Sequence, residues 1–98
     1  MSIIGNYTKQ AAEIESYSVD YSQDLDDGDS ITSATATVDQ DQMLTIQYCT
    51  YISVPGDQRA RVMLSQGTDG VKYKVTVTAT TQQGRKFEDE FYVKIREY

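Results

Sequence analysis

The chain has no histidine and no tryptophan, and only one cysteine and one proline in 98 residues. Without histidine it lacks the usual proton shuttle near neutral pH and the commonest metal ligand. A lone thiol, Cys49, neither closes a disulfide within the chain nor builds a zinc site. Cations are scarce as well: 9 Lys and Arg stand against 15 Asp and Glu, for a formal net charge of −6. Proteins whose main task is to grip phosphate backbones rely on clustered Lys and Arg, so nucleic acid is not an expected partner. Long apolar runs are absent too. Ile3-Ile4 is typical of the short ones present, and no membrane-spanning segment is predicted. The first residues carry no basic stretch followed by a long apolar one, so no signal peptide is expected. Cys49 is then expected to stay a thiol in a reducing cytoplasm. The sequon Asn6-Tyr7-Thr8 is read as chance without a secretory route. A chain of this length makes one small domain, shorter than most enzymes with a deep cleft.

What the chain does have is a two-residue rhythm. Val71, Tyr73, Val75, Val77 and Ala79 alternate with Lys72, Lys74, Thr76, Thr78 and Thr80, which predicts a strand with one face on a core and one in water. Lys86 to Arg96 repeats the pattern. Phe87, Phe91, Val93 and Ile95 fall on one face, and Glu88, Glu90, Lys94 and Arg96 on the other. Asp89 interrupts the inward set and predicts a bulge or sheet margin nearby. Between these segments, Thr81-Gln82-Gln83-Gly84-Arg85 suits a hairpin loop. Further turns are expected at Ser65–Gly70 and at Pro55-Gly56-Asp57. Shorter alternating sets appear at 60–64, at 44–48 with Tyr48 inward, at 34–38, and at Tyr17, Val19 and Tyr21. About seven short strands with turns roughly every ten residues predict an all-β, immunoglobulin-like antiparallel β-sandwich over residues 13–98. Residues 1–12 are expected to form an extended N-terminal arm.

Chemistry-bearing groups are few. Asp24-Leu25-Asp26-Asp27-Gly28-Asp29 is like the start of a calcium loop, but its Gly comes one position early. Thr35 also falls where such a loop needs a bidentate Glu. A solvated turn is the better reading, because Asp and Gly are ordinary turn residues. Nucleophilic catalysis has neither a His nor a G-x-S-x-G elbow to build on. On a strand, Glu88 and Glu90 share a solvent face while Asp89 points away, which is a charged outer face and not an acid–base pair. Cys49 sits within a predicted strand, where a buried or half-buried thiol is expected. No catalytic, cofactor or metal residue is assigned.

Aromatic content is mostly Tyr, with 8 Tyr and 2 Phe. Tyr17, Tyr21, Tyr48 and Tyr73 are expected inward. Tyr92 has the opposite parity from Phe91 and Val93 and is expected outward. Tyr suits protein interfaces because it joins a rigid apolar body to a hydrogen-bonding tip. Ile3, Ile4 and Tyr7 are apolar in a stretch with no alternation to bury them. They either cover their own sandwich or dock on a neighbour. The candidate interface residues are Ile3, Ile4, Tyr7 and Tyr92.

Four phrases together carry a resemblance. They are Lys9-Gln10-Ala11-Ala12-Glu13 leading into Tyr17-Ser18-Val19-Asp20-Tyr21-Ser22; Leu25 with Gly28-Asp29-Ser30-Ile31-Thr32-Ser33-Ala34; Val62 through Val75 with Gly67 and Gly70; and Thr80-Thr81-Gln82-Gln83-Gly84-Arg85. Over roughly residues 9–95 the chain resembles small tailed-phage virion proteins of the fibre-tail adaptor family. It departs from their pattern at Ala11, where a Pro is usual, and at Asp24, where an aromatic is usual. The resemblance implies a non-enzymatic virion structural protein, made in the host bacterial cytoplasm, that links tail or neck to fibres as a symmetric oligomer. Its partners would be other virion proteins, without nucleic acid, membrane or cofactor. Two alternatives stand beside it: a capsid decoration or cement protein, and a carbohydrate- or cell-surface-binding module. The second is disfavoured by the lack of Trp.

Overall fold

The rhythm read from the sequence becomes seven strands in a computed structural model that describes residues 2–39 and 43–96, with side chains from residue 5 onward. They are β1 (Ser2–Lys9), β2 (Glu15–Asp20), β3 (Ile31–Val38), β4 (Leu44–Val54), β5 (Asp57–Gln66), β6 (Lys72–Thr81) and β7 (Lys86–Ile95). No helix occurs among the described residues. One sheet has the order β1-β7-β6-β3 and the other β2-β5-β4. All pairings are antiparallel except β1 with β7. With strands lettered A to G in chain order, C, F and G share one sheet and B, E and D the other, which fits the immunoglobulin-like pattern; strand A lies beside G.

Alternation places the core between the sheets. Tyr73, Val75, Val77 and Ala79 of β6 face Ala60, Val62 and Leu64 of β5, with Val19, Ile31, Leu44, Phe91, Val93 and Ile95 filling the space between. The hairpin expected at 81–85 is present: Thr80 pairs with Lys86, and the Gly84 amide donates to the Thr81 carbonyl at 3.0 Å. The β4–β5 turn is tighter. Val54 pairs with Asp57, leaving only Pro55 and Gly56 between. Gly56 takes φ 83°, as the second central residue of a Pro-Gly turn requires.

The corner between β5 and β6 crosses from one sheet to the other. The Tyr73 hydroxyl, wholly buried, accepts a 2.9 Å hydrogen bond from the Thr68 amide. A Tyr near the start of strand F tied to the backbone upstream is the tyrosine corner of immunoglobulin-like sandwiches. Beside it, Lys9 is 1% exposed, and its Nζ donates to the carbonyls of Gln10, Ala11 and Gln66 at 2.8, 3.3 and 2.7 Å. This fixes the end of β1 to the end of β5 across the two sheets.

Two expectations are corrected, and a third is located. Tyr48 is 43% exposed, not inward. Gln47 is an extra residue in β4 between the pairs Ile46–Leu64 and Tyr48–Met63, so the facing flips there. Its side-chain amide holds the bulge by donating to the Ser65 hydroxyl. Glu90 does lie opposite Phe91, but it is only 7% exposed, beside Lys74 at 3.8 Å and flanked by Thr76 of β6 and Ile3 of β1. Asp89 brings no bulge into its hairpin, since the β6–β7 register runs on through the pair Val77–Asp89. The irregularity expected near Asp89 is present on the other side of β7, where the β1 register shifts between the pairs Ile3–Glu90 and Asn6–Tyr92.

Candidate protein-interaction surfaces

The sandwich presents two loop ends, the free β1 edge and two outer sheet faces. At one end the β2–β3 loop (21–30), the Pro55-Gly56 turn and the β6–β7 loop (82–85) come together. Gln58 is the buried hub beneath them. Its Oε1 accepts from the Ile31 amide and the Ser53 hydroxyl, and its Nε2 donates to the Val54 carbonyl. Its own amide donates to Ser22 Oγ, while its carbonyl accepts from the Tyr21 amide. One Gln thus joins the ends of four strands.

The acidic loop above the hub is built rather than loose. Asp29, expected in a solvated turn, is buried, and its Oδ1 accepts from the Ser30 and Gln83 amides at 2.9 and 3.1 Å. Burial pushes its carboxyl up, but hydrogen bonds from Thr81, Gln83 and Ser30, with the Arg85 charge, outweigh this and hold it below the ordinary 3.8. Arg85 reaches the Asp24 carbonyl at 3.0 Å and Asp26 Oδ1 at 3.6 Å, with its guanidinium 4.8 Å from the Phe87 ring centre. Asp24, Asp26 and Asp27 remain exposed at the tip. Among the described residues no group of three or more His, Cys, Asp or Glu is arranged to hold a metal ion.

The β1 edge carries three of the four residues singled out from sequence. Ile3 and Ile4 lie on β1, with their side chains outside the described residues. Tyr7 is 40% exposed and leans over the gap between the sheets, its ring 4.9 Å from Tyr17 and 5.6 Å from Phe91. Burial first, and then the Glu15 and Glu13 charges, push the Tyr17 hydroxyl up to about 12. Tyr92 lies on the other face of the same edge, level with Asn6 of β1 and half-buried, with Lys72 Nζ 4.6 Å from its ring centre. The structure therefore brings Tyr7 and Tyr92 to one sheet edge but not to one face.

Sequence reasoning missed the outer face of β2-β5-β4. Beyond the Gln47 bulge, Tyr48, Thr50, Ile52 and Val54 lie opposite Met63, Arg61, Arg59 and Asp57, with Ser16, Ser18 and Asp20 completing the rows. Tyr48 and Val54 are exposed at 43% and 50%. Antiparallel sheets of this kind normally turn polar residues outward, and an apolar stripe here is out of pattern. Its signal in the sequence is Tyr51-Ile52 within β4, which breaks the strict alternation.

These surfaces are edges, loops and a flat face. A family profile described as podophage GP4 fiber-tail adaptor protein gp77 matches residues 9–94. The chain belongs to this family of podophage fibre-tail adaptors. The match takes in β2 to β6 and β7 as far as Lys94, whereas β1 contributes only Lys9. In this adaptor domain the matched span therefore includes the Gln58 hub, the acidic loop and the tyrosine corner, but not Ile3, Ile4 or Tyr7. No curated protein matches the chain.

Proposed function

We propose that this chain is a non-enzymatic structural component of the virion, an adaptor that links tail or neck to fibres as part of a symmetric oligomer. The observation that carries the reading is the adaptor-family match across residues 9–94 of a domain of seven strands. The physics suits the role. A sandwich pinned by Gln58, Lys9 and Tyr73 holds its loops and edges in fixed positions, so little ordering cost falls on binding.

The proposed contact with other virion proteins runs along the β1 edge through Ile3, Ile4 and Tyr7, with Tyr92 beside it. β1 ends its sheet with one side unpaired, and such an edge accepts a partner's strand or side chains. The chain is made in the host cytoplasm and resides in the particle. Gold-labelled antibody against it should mark the junction between tail and fibres in micrographs of intact particles. Label spread over the capsid shell would instead make it a cement protein and overturn the adaptor reading.

A further inference from the structure

We infer that the outer face of β2-β5-β4 is the docking surface for a second copy of this chain, which inserts its acidic 24–29 loop. This deepens the adaptor reading, on which it rests for its purpose, by naming the contact between subunits.

The face has the composition of an interface core. Tyr48, Ile52, Val54 and Met63 supply apolar area, and Arg59 and Arg61 lie among them on the central strand. Tyr, Met and Arg are the types enriched where proteins meet. Arg59 gives Nη2 to Asp57 at 3.1 Å, yet its Nε is buried without an acceptor among the described residues. A buried donor left unmatched is unfavourable until an acceptor arrives.

Charge selects the occupant. Arg59 already has Asp57 and Asp20 beside it, but Arg61 lies between Thr50 and Ser18 with no carboxylate paired to it among the described residues. In a chain of net charge −6, such an exposed arginine on an apolar face calls for an acidic partner. The same chain presents one: Asp24 and Asp27 at the tip of a loop that Arg85, Gln83 and Ser30 already hold in shape. That loop leaves the sandwich at its end, whereas the arginines lie on a face. No ion pair joins Arg61 to this loop among the described residues, and the two surfaces complement each other between copies. A contact between different surfaces is heterologous, and repeated around a closing rotation it generates a ring.

The test uses sedimentation velocity on the full chain from about 10 μM to about 1 mM, at about 50 mM and about 500 mM salt. The wild type is expected to associate at low salt and to loosen at high salt. Arg61→Glu and Asp27→Arg should each weaken association by at least about tenfold. Mixing the two variants should restore it, because every junction in an alternating assembly then pairs opposite charges. Unchanged melting temperatures will show that both variants fold. A wild type that stays monomeric throughout overturns the inference, as do reversals without effect or a mixture that fails to reassociate. None of those outcomes moves the gold label on the particle, so the adaptor reading stands or falls separately.

Discussion

Single residues decide how firmly the β5–β6 corner is held. Tyr73→Phe keeps the ring but leaves the Thr68 amide without its acceptor, and we expect a loss of about 1–2 kcal/mol in urea melts. Gly67→Ala should cost more. Gly67 sits at φ 112°, and a Cβ there would lie 2.6 Å from Ile95 Cγ1, adding a core clash to backbone strain for roughly 2–4 kcal/mol in the same melts. Gly84→Ala is the control, since Gly84 shares the positive φ but faces open space. It should lose only about 1 kcal/mol. The carboxyl and phenol groups set the pH window. Asp20, held by Ser22, and Asp29 are both below 3.8 when folded. Their stabilisation is present above the unfolded value and lost as pH falls through the folded one. Tyr17 is raised from 10.0 to about 12, so its contribution is intact below 10.0 and lost as pH climbs towards 12. Melting temperature should therefore hold steady between about pH 5 and 9 and fall on both sides. Asp29→Asn should blunt the acid limb, and an acid limb unchanged by it would remove Asp29 from the account.

Among the elements, β6 and β7 were legible because each strand's code is local: apolar at every second residue, interrupted in β7 by Asp89, with a Gly-bearing loop between. β4 was legible only as far as Ile46. A bulge leaves no alternation to read, and the Gln47 amide that stabilises it finds Ser65 eighteen residues away. The pairing of β1 was hidden for a similar reason. Its partner β7 lies at the far end of the chain, and the residues 2–9 that pair with it show no period of two. Buried polar residues follow the same rule. Lys9 and Gln58 look like surface residues in sequence, and only long-range carbonyl and amide partners make them interior ones. The candidate interface residues were picked by apolarity without alternation for Ile3, Ile4 and Tyr7, and by outward parity for Tyr92. Those criteria passed over the β4 face, whose exposure depends on the bulge. Deleting residues 1–8 should leave a β-rich circular dichroism spectrum from the remaining strands. It should lower the melting temperature, because Tyr7 no longer covers Tyr17 and Phe91, and it should weaken incorporation into particles. Full melting stability in the truncated chain would show that β1 adds nothing to its own sandwich.

At the scale of the whole molecule, the extents of 45 × 21 × 18 Å describe a short rod with the candidate surfaces along its length and at its ends. The acidic loop projects from one end, the β1 edge runs along one side, and the apolar face with its arginines covers the second sheet. Such a body is suited to joining neighbours without moving parts, since the inter-sheet ties through Lys9 and Tyr73 hold it rigid. The most direct measurement is to image particles assembled with this chain omitted from the phage genome. The account predicts complete capsids and tails that lack fibres, with attachment restored when the chain is supplied in trans. Fibres still seated on particles that lack the chain would contradict it.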